Sequence, residues 1–268
     1  MLTILAFSCQ NAYVTPEPMR ILSLDTTTRG GSVALVEDLR VIEERRGDPS
    51  RTHAERLPGE ILALLGDHGR LSSDIDLFAV ASGPGSFTGL RVGIATIQGL
   101  AFVHGRRIAA VSALDALAQS AGRDLSGGAT VGVWTDAQRR DVFTALYRIG
   151  GDAAFTSARL KEIDPPAVGD PAATLVRWTR LIDGEPIVHA GDGAVQYGAL
   201  IRAHRPEARI VDVPALAGII GLMAAAMAET GGTIGPGEIR PLYVRRPDAE
   251  VDREKRNAVP SRTRGTPR

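Results

Sequence analysis

LFAVASGPGSFTGLRVGIATIQGLAF, residues Leu77–Phe102, contains the change of hydrophobic period from which the fold is read. Leu77–Ala81 is an apolar run of strand length, followed by small and polar residues. Ser82-Gly83-Pro84-Gly85 interrupts it, because two glycines and a proline prolong neither a strand nor a helix. Ser86 and Thr88 each offer a side-chain oxygen to an orphaned backbone N–H, so either can cap a helix beginning there. From Gly89 the pattern is helical. Leu90, Ile94, Ile97 and Ala101 form one stripe, at offsets of 0, 4, 7 and 11. Gly89, Gly93, Thr96 and Leu100 form a second stripe beside it, mostly of small residues. The stretch predicts a strand, a glycine-bounded turn, and a helix that packs on its own sheet and on something else.

The 268 residues suit one large domain or two lobes, and their 44% hydrophobic content supplies a sizeable core. Formal net charge is zero and aromatics are 4%, which argues against a dedicated nucleic-acid binder and against a base-stacking platform. The single cysteine, Cys9, excludes an internal disulfide framework and a multi-cysteine metal site. A cytoplasmic protein is expected. Residues 1–18 stand apart. Met1–Gln10 is apolar but short for a bilayer span, with no Lys or Arg before it, and Thr15-Pro16-Glu17-Pro18 separates it from Met19, where a strand pattern begins. Two readings stay open: a disordered extension ahead of a start at Met19, and a signal or lipoprotein segment ending at Cys9.

Arg20–Asp25 reads as a first strand ending in a carboxylate, Thr26–Gly31 as a turn, Ser32–Val36 as the returning strand and Val41–Arg45 as a third. An Asp at a strand end before a hydroxyl-rich hairpin can hold a nucleotide phosphate or its metal, which makes Asp25, Thr26 and Thr27 candidate nucleotide-binding residues. The same residues also suit a plain polar hairpin. Ala54–Leu65 forms an amphipathic helix through Leu57, Ile61, Leu64 and Leu65, with His53 near its start as a cap or packing residue. None of the five histidines has another four residues away, so the helical HxxxH pairing that binds metal is missing. Ile108–Val111 is a strand, and Ser112 caps a helix over Ala113–Ala121. Gly122–Gly128 is the lobe boundary. Beyond it, Ala129–Trp134, a turn at Asp136–Asp141 and Val142–Tyr147 repeat the opening strand–turn–strand unit, which points to an internal duplication. Gly150–Ala172 holds an edge strand and loops, Ala173–Ile182 a helix, and Ile187–Ala190 a strand before Gly191-Asp192-Gly193. Residues 214–229 form an apolar, alanine-rich helix, too short for a membrane span and placed in the core. From Arg246 the chain is charged and without periodicity. Residues 251–268 carry six Lys or Arg against two acidic residues, a disordered basic tail of net charge +4.

Three stretches carry a resemblance: Leu22–Thr27, Ser82–Arg91 and Asp136–Phe143. Ser82-Gly83-Pro84-Gly85-Ser86-Phe87-Thr88-Gly89-Leu90-Arg91 is the most specific, and Arg240–Arg245 fits the same pattern late in the chain. Together they resemble the bacterial TsaB (YeaZ) family, the dimerisation subunit of the machinery that makes threonylcarbamoyladenosine in tRNA. The resemblance covers about residues 20–246. It implies a two-lobed α/β fold of the actin-like ATPase (Hsp70/sugar-kinase, ASKHA) type with degenerate catalytic motifs. The first lobe would span residues 19–125 and the second 126–246, with the apolar helix in the second and the basic tail at 247–268. It also implies kinship to a catalytic paralogue, TsaD, which binds metal through HxxxH and acts on adenosine-37 of tRNA. The older peptidase label of that superfamily finds no metal site and no nucleophile–base set in this sequence.

A non-catalytic partner subunit is therefore expected, with no catalytic residue and no metal of its own. The resemblance implies docking of the TsaD-type paralogue through the helices at Ala54–Leu65 and Thr88–Phe102. The interface residues assigned are Ala54, Leu57, Ile61, Thr88, Leu90, Arg91, Gly93, Ile94, Ile97 and Gln98. Gly93→Glu or Ile94→Asp is expected to expel the partner and leave the chain folded. A TsaE-type ATPase completes the machine, ATP or ADP would sit at the complex interface with none held tightly by this chain, and tRNA is reached through the complex. Without its partner, the same surface can close a homodimer. Arg139, Arg140 and the tail are candidate minor tRNA contacts. The rival from another class is an autonomous nucleotide-dependent kinase or hydrolase using Asp25, Thr26 and Thr27.

Overall fold

A computed structural model describes residues 18–213 and 215–244. The expectations for Met1–Glu17, including Cys9, and for the basic tail lie outside the described residues. The strands of the first sheet are β1 (Arg20–Asp25), β2 (Ser32–Glu37), β3 (Arg40–Arg46), β4 (Leu77–Gly83) and β5 (Arg107–Ser112). Their order is β3-β2-β1-β4-β5. The hairpin-linked strands β1, β2 and β3 are antiparallel, whereas β4 and β5 join by crossovers and run parallel to β1. The second sheet is built from β6 (Thr130–Asp136), β7 (Val142–Ile149), β8 (Leu160–Gly169), β9 (Ile187–Ala190) and β10 (Arg209–Val211). Read from β8, its order β8-β7-β6-β9-β10 repeats the first, with the same antiparallel and parallel joins. Each lobe is one copy of a single topology. The repeated strand–turn–strand units seen in the sequence are the starts of the two copies, and the whole is the two-lobed actin-like arrangement. Pro165 and Pro166 are tolerated in β8 because it is an edge strand, with one side of its backbone unpaired.

Helices α1 (His53–Asp67) and α2 (Phe87–Val103) cover one face of the first sheet. Leu57, Ile61 and Leu64 from α1 and Ile94, Ile97 and Ala101 from α2 share a buried cluster with Leu22, Phe78 and Val80 of the strands. Ser86 caps α2, accepting from the Gly89 N–H at 3.2 Å, and the Gly83–Pro84 peptide before it is cis. Helix α3 (Ala113–Ala121) lies between the sheets, and α4 (Pro171–Leu181), α5 (Asp192–Gln196) and α6 (Gly198–His204) cover the outer face of the second. Ser112 caps α3 as expected.

Helix α7 (Ala217–Glu229) corrects the division of the chain. Expected with the second lobe, it lies on the first sheet, on the face opposite α1 and α2. Glycines allow the approach: a Cβ on Gly221 would stand 2.5 Å from a Val36 methyl, and one on Gly218 would stand 3.0 Å from Glu44 Oε2. First-lobe side chains also satisfy the start of α7. Ser32 Oγ accepts from the Ala217 N–H at 3.0 Å, and Glu44 Oε1 accepts from the Gly218 N–H at 2.9 Å. A helix apolar on every side is stable only when surrounded, and the space between the first sheet and α3 surrounds it. Among the described residues no helix is long and apolar enough to cross a membrane.

Candidate functional site

A cleft of about 1260 Å³ opens where the two strand–turn–strand units face each other. One wall holds Thr27, Thr28 and Arg29 of the β1–β2 turn, residues 49–54 leading into α1, and residues 84–92 leading into α2. The other holds Thr135–Arg139 of the β6–β7 turn and Asp192, and Leu242–Val244 lies along the rim.

Of the three candidate nucleotide residues only Thr27 reaches this wall. Asp25 and Thr26 are buried behind it. Asp25 Oδ1 accepts from both the Thr27 N–H at 2.8 Å and the Thr27 hydroxyl at 2.6 Å. Burial pushes the Asp25 carboxyl up from its ordinary value, Glu44 adds to this, and the two bonds from Thr27 oppose it. The β4–α2 turn packs directly onto Thr26 and Thr27. A Cβ on Gly85 would stand 2.5 Å from Thr27 Cβ, one on Gly89 would stand 2.1 Å from the Thr26 carbonyl oxygen, and the Ser86 N–H donates to the Thr27 carbonyl at 2.8 Å. The glycine-rich motif thus spends its openness on a contact within the chain. Asp25 and Thr26 are thereby separated from the cleft, and Thr27 is the one of the three that lines it.

Across the cleft, Asp192 Oδ1 accepts from the Asp136 N–H at 3.2 Å and the Gly193 N–H at 2.8 Å. Its carboxyl is raised by burial first and by Asp136 and Asp25 as further causes. Gln138, Arg139 and Arg140 are consecutive left-handed residues, with φ of 61°, 56° and 68°. All three are exposed, and Gln138 and Arg139 line the cleft. Among the described residues no three His, Cys, Asp or Glu side chains gather as a metal site.

The assigned docking residues divide sharply. Leu57, Ile61, Leu90, Gly93, Ile94 and Ile97 are buried in the chain's own core. Ala54, Thr88 and Arg91 are exposed, and the half-buried Gln98 donates to the Pro236 carbonyl at 2.8 Å. Arg91 stacks over the Phe87 ring at 3.9 Å, and Phe87 lies 5.3 Å from the Tyr243 ring. The small-residue stripe of α2 faces the β1–β2 turn: a Cβ on Gly93 would stand 2.2 Å from Thr26 Oγ1. Contrary to the expectation from sequence, Gly93→Glu and Ile94→Asp place charges in the core and should destabilise the chain itself.

The open surface is a third face. On α2 it comprises Thr88, Arg91, Ala95, Gly99, Phe102 and Val103; on α1 it comprises Glu55, Pro58, Gly59, Leu62, Ala63 and Gly66. Phe102 is 79% exposed and Leu62 69%. A Cβ on Gly59, Gly66 or Gly99 would meet nothing within 4 Å. The signal was in the sequence. Arg91 is the only charge between Phe87 and Val103, so α2 has no polar face to turn to water whichever way it rotates.

Residues 47–167 match the family described as "TsaD: tRNA N6-adenosine threonylcarbamoyltransferase". An uncharacterized protein of Mycobacterium tuberculosis is 33% identical over 239 residues, covering 86% of this chain and 93% of the relative. The tRNA threonylcarbamoyladenosine biosynthesis protein TsaB of Escherichia coli is 38% identical over 130 residues, 48% of this chain and 55% of the relative. The solved structure of YeaZ from Pseudomonas aeruginosa superposes with a TM-score of 0.66 at 28% identity, covering 84% of this chain and 99% of that one.

Proposed function

The chain belongs to the TsaB (YeaZ) family, and from that premise we propose that it is a non-catalytic scaffold and dimerisation subunit in threonylcarbamoylation of adenosine-37 of tRNA. It binds and activates a TsaD-type catalytic paralogue. A TsaE-type ATPase joins the assembly, and tRNA is engaged through the complex. The observation that carries this reading is the uncovered apolar face of α1 and α2, where Gly59, Gly66 and Gly99 leave room for another helix pair to approach closely. Exposed large apolar side chains such as Phe102 and Leu62 favour being covered by a partner. The burial of Asp25 and Thr26 supports the non-catalytic half of the reading, since of the three candidate residues only Thr27 lines the cleft. ATP or ADP, where used, would bind across the assembled interface, and the same face closes a homodimer when the paralogue is absent. A cytoplasmic site of action follows from the substrate.

Gly99→Arg tests the assignment cleanly. Glycine is a poor helix former, so arginine at an open position keeps or raises stability, by up to about 1 kcal/mol. It also plants a long charge in the middle of the face. The variant should unfold at or above the wild-type temperature and lose co-purification with the TsaD-type subunit. Undiminished association would move the docking site elsewhere. An autonomous kinase or hydrolase would instead show ATP turnover by the isolated chain that Asp25→Ala removes.

A further inference from the structure

His53 and Arg56, at the start of α1, reach back to the β1–β2 turn, which precedes them by more than twenty residues. Arg56 is 4% exposed, and its two terminal nitrogens find their partners in protein while the buried Nε has none among the described residues. The guanidinium donates to the Glu60 carboxylate at 2.7 and 2.9 Å, to the Gly30 carbonyl, and to His53 Nδ1 at 2.8 Å. A guanidinium has no acceptor, so Nδ1 presents a lone pair and the ring proton is on Nε2. From there it donates to the Thr28 carbonyl at 3.0 Å. The ring is wedged between two backbones: a Cβ on Gly31 would stand 3.0 Å from Cε1, and one on Gly89 of α2 would stand 3.2 Å from Cδ2. Gly47 is pressed against Arg56, since any Cβ there would fall on the guanidinium. The turn is tied further by the Gly47 N–H to the Gly31 carbonyl at 3.2 Å and by the Ser86 N–H to the Thr27 carbonyl at 2.8 Å.

We infer that His53 and Arg56 form a proton-operated latch: neutral His53 holds the β1–β2 turn against the starts of α1 and α2, and a solvent proton taken up at Nδ1 releases it. Once Nδ1 carries a proton it faces the Arg56 N–H donor to donor and charge to charge, so the present arrangement and imidazolium exclude each other. The charged groups acting on the ring are Arg56 and Glu60, both on α1; the turn presents the Thr28 carbonyl and Gly31, and α2 presents Gly89. Burial first and Arg56 second lower the His53 pKa, opposed by the Thr28 carbonyl and Glu60. The latched state is therefore favoured at neutral pH and lost as pH falls through and below the ordinary imidazole range. One side of the turn lines the cleft, and the opposite side of α1 carries the open face, so the latch lies between the two surfaces.

The test uses the isolated chain and is independent of the docking reading. Nitrogen-15 spectra of the histidine rings and amide hydrogen exchange are recorded from about pH 7.5 down to about pH 5. At the upper end His53 should be the neutral Nε2–H tautomer. Below about pH 6.5 the protection factors of the Gly31, Gly47 and Ser86 amides should fall by up to about tenfold per pH unit. That fall should exceed any change in β6 and β9, which surround His189. His53→Gln should abolish the pH dependence of these three amides; if it does not fold, the wild-type spectra decide alone. An Nδ1–H tautomer at neutral pH, or a protonated ring with unchanged protection, overturns the latch.

Discussion

His189 shows at the scale of one residue what burial does to a titrating group. It sits on β9 at 3% exposure and accepts at Nδ1 from Trp134 Nε1 at 3.1 Å. Its ring lies 6.3 Å from that of Trp178, whose Nε1 donates to Asp164 at 2.7 Å. Burial first, and then His204 and Arg205, hold its pKa down at about 4. The unfolded chain takes up a proton near the ordinary imidazole value while the folded chain refuses it, so stability is complete above about pH 6.5 and declines toward pH 4. A loss on the order of 2–3 kcal/mol across that window is expected from this residue, read as a shift in urea midpoint between about pH 7.5 and 4.5. His189→Gln should flatten the slope. From the sequence, His189 was legible as a strand residue and nothing more. Its depth depends on Trp134, Trp178 and Asp164, which come from three other elements.

Helix α2 shows at the scale of one element where periodicity stops informing. Its buried Leu90–Ile94–Ile97–Ala101 stripe and a start near Ser86 or Thr88 were readable from local spacing and capping chemistry, and the structure places the cap at Ser86. The partner of its glycine stripe was not. Gly89 and Gly93 meet Thr26, brought there by the parallel pairing of β1 with β4, and a stripe does not name what covers it. The face left open to solvent is the third one, which neither stripe marks. Two glycines of one helix therefore behave oppositely. Gly93→Ala forces a methyl against Thr26 and should cost about 1–3 kcal/mol in chemical denaturation, whereas Gly99→Ala should be neutral or stabilising by up to about 1 kcal/mol. Equal effects would contradict the assignment of the two faces.

The whole molecule is two copies of one topology with an exchanged element. The duplication was visible as two strand–turn–strand units, since hairpins are local. The place of α7 was not, because a helix apolar all round fits either lobe by pattern. Ser32, Glu44 and the glycines Gly218 and Gly221 decide it, from residues well over a hundred positions apart. By returning to the first sheet, α7 backs the strands whose other face carries α1 and α2, so the proposed docking surface rests on a core drawn from both ends of the described chain. The most direct test is reconstitution of tRNA threonylcarbamoylation from the TsaD-type subunit, the TsaE-type ATPase and this chain. Modification should require the chain, fail with Gly99→Arg and survive Asp25→Asn, provided that variant folds. Full modification with the chain omitted, or with Gly99→Arg, would contradict the account.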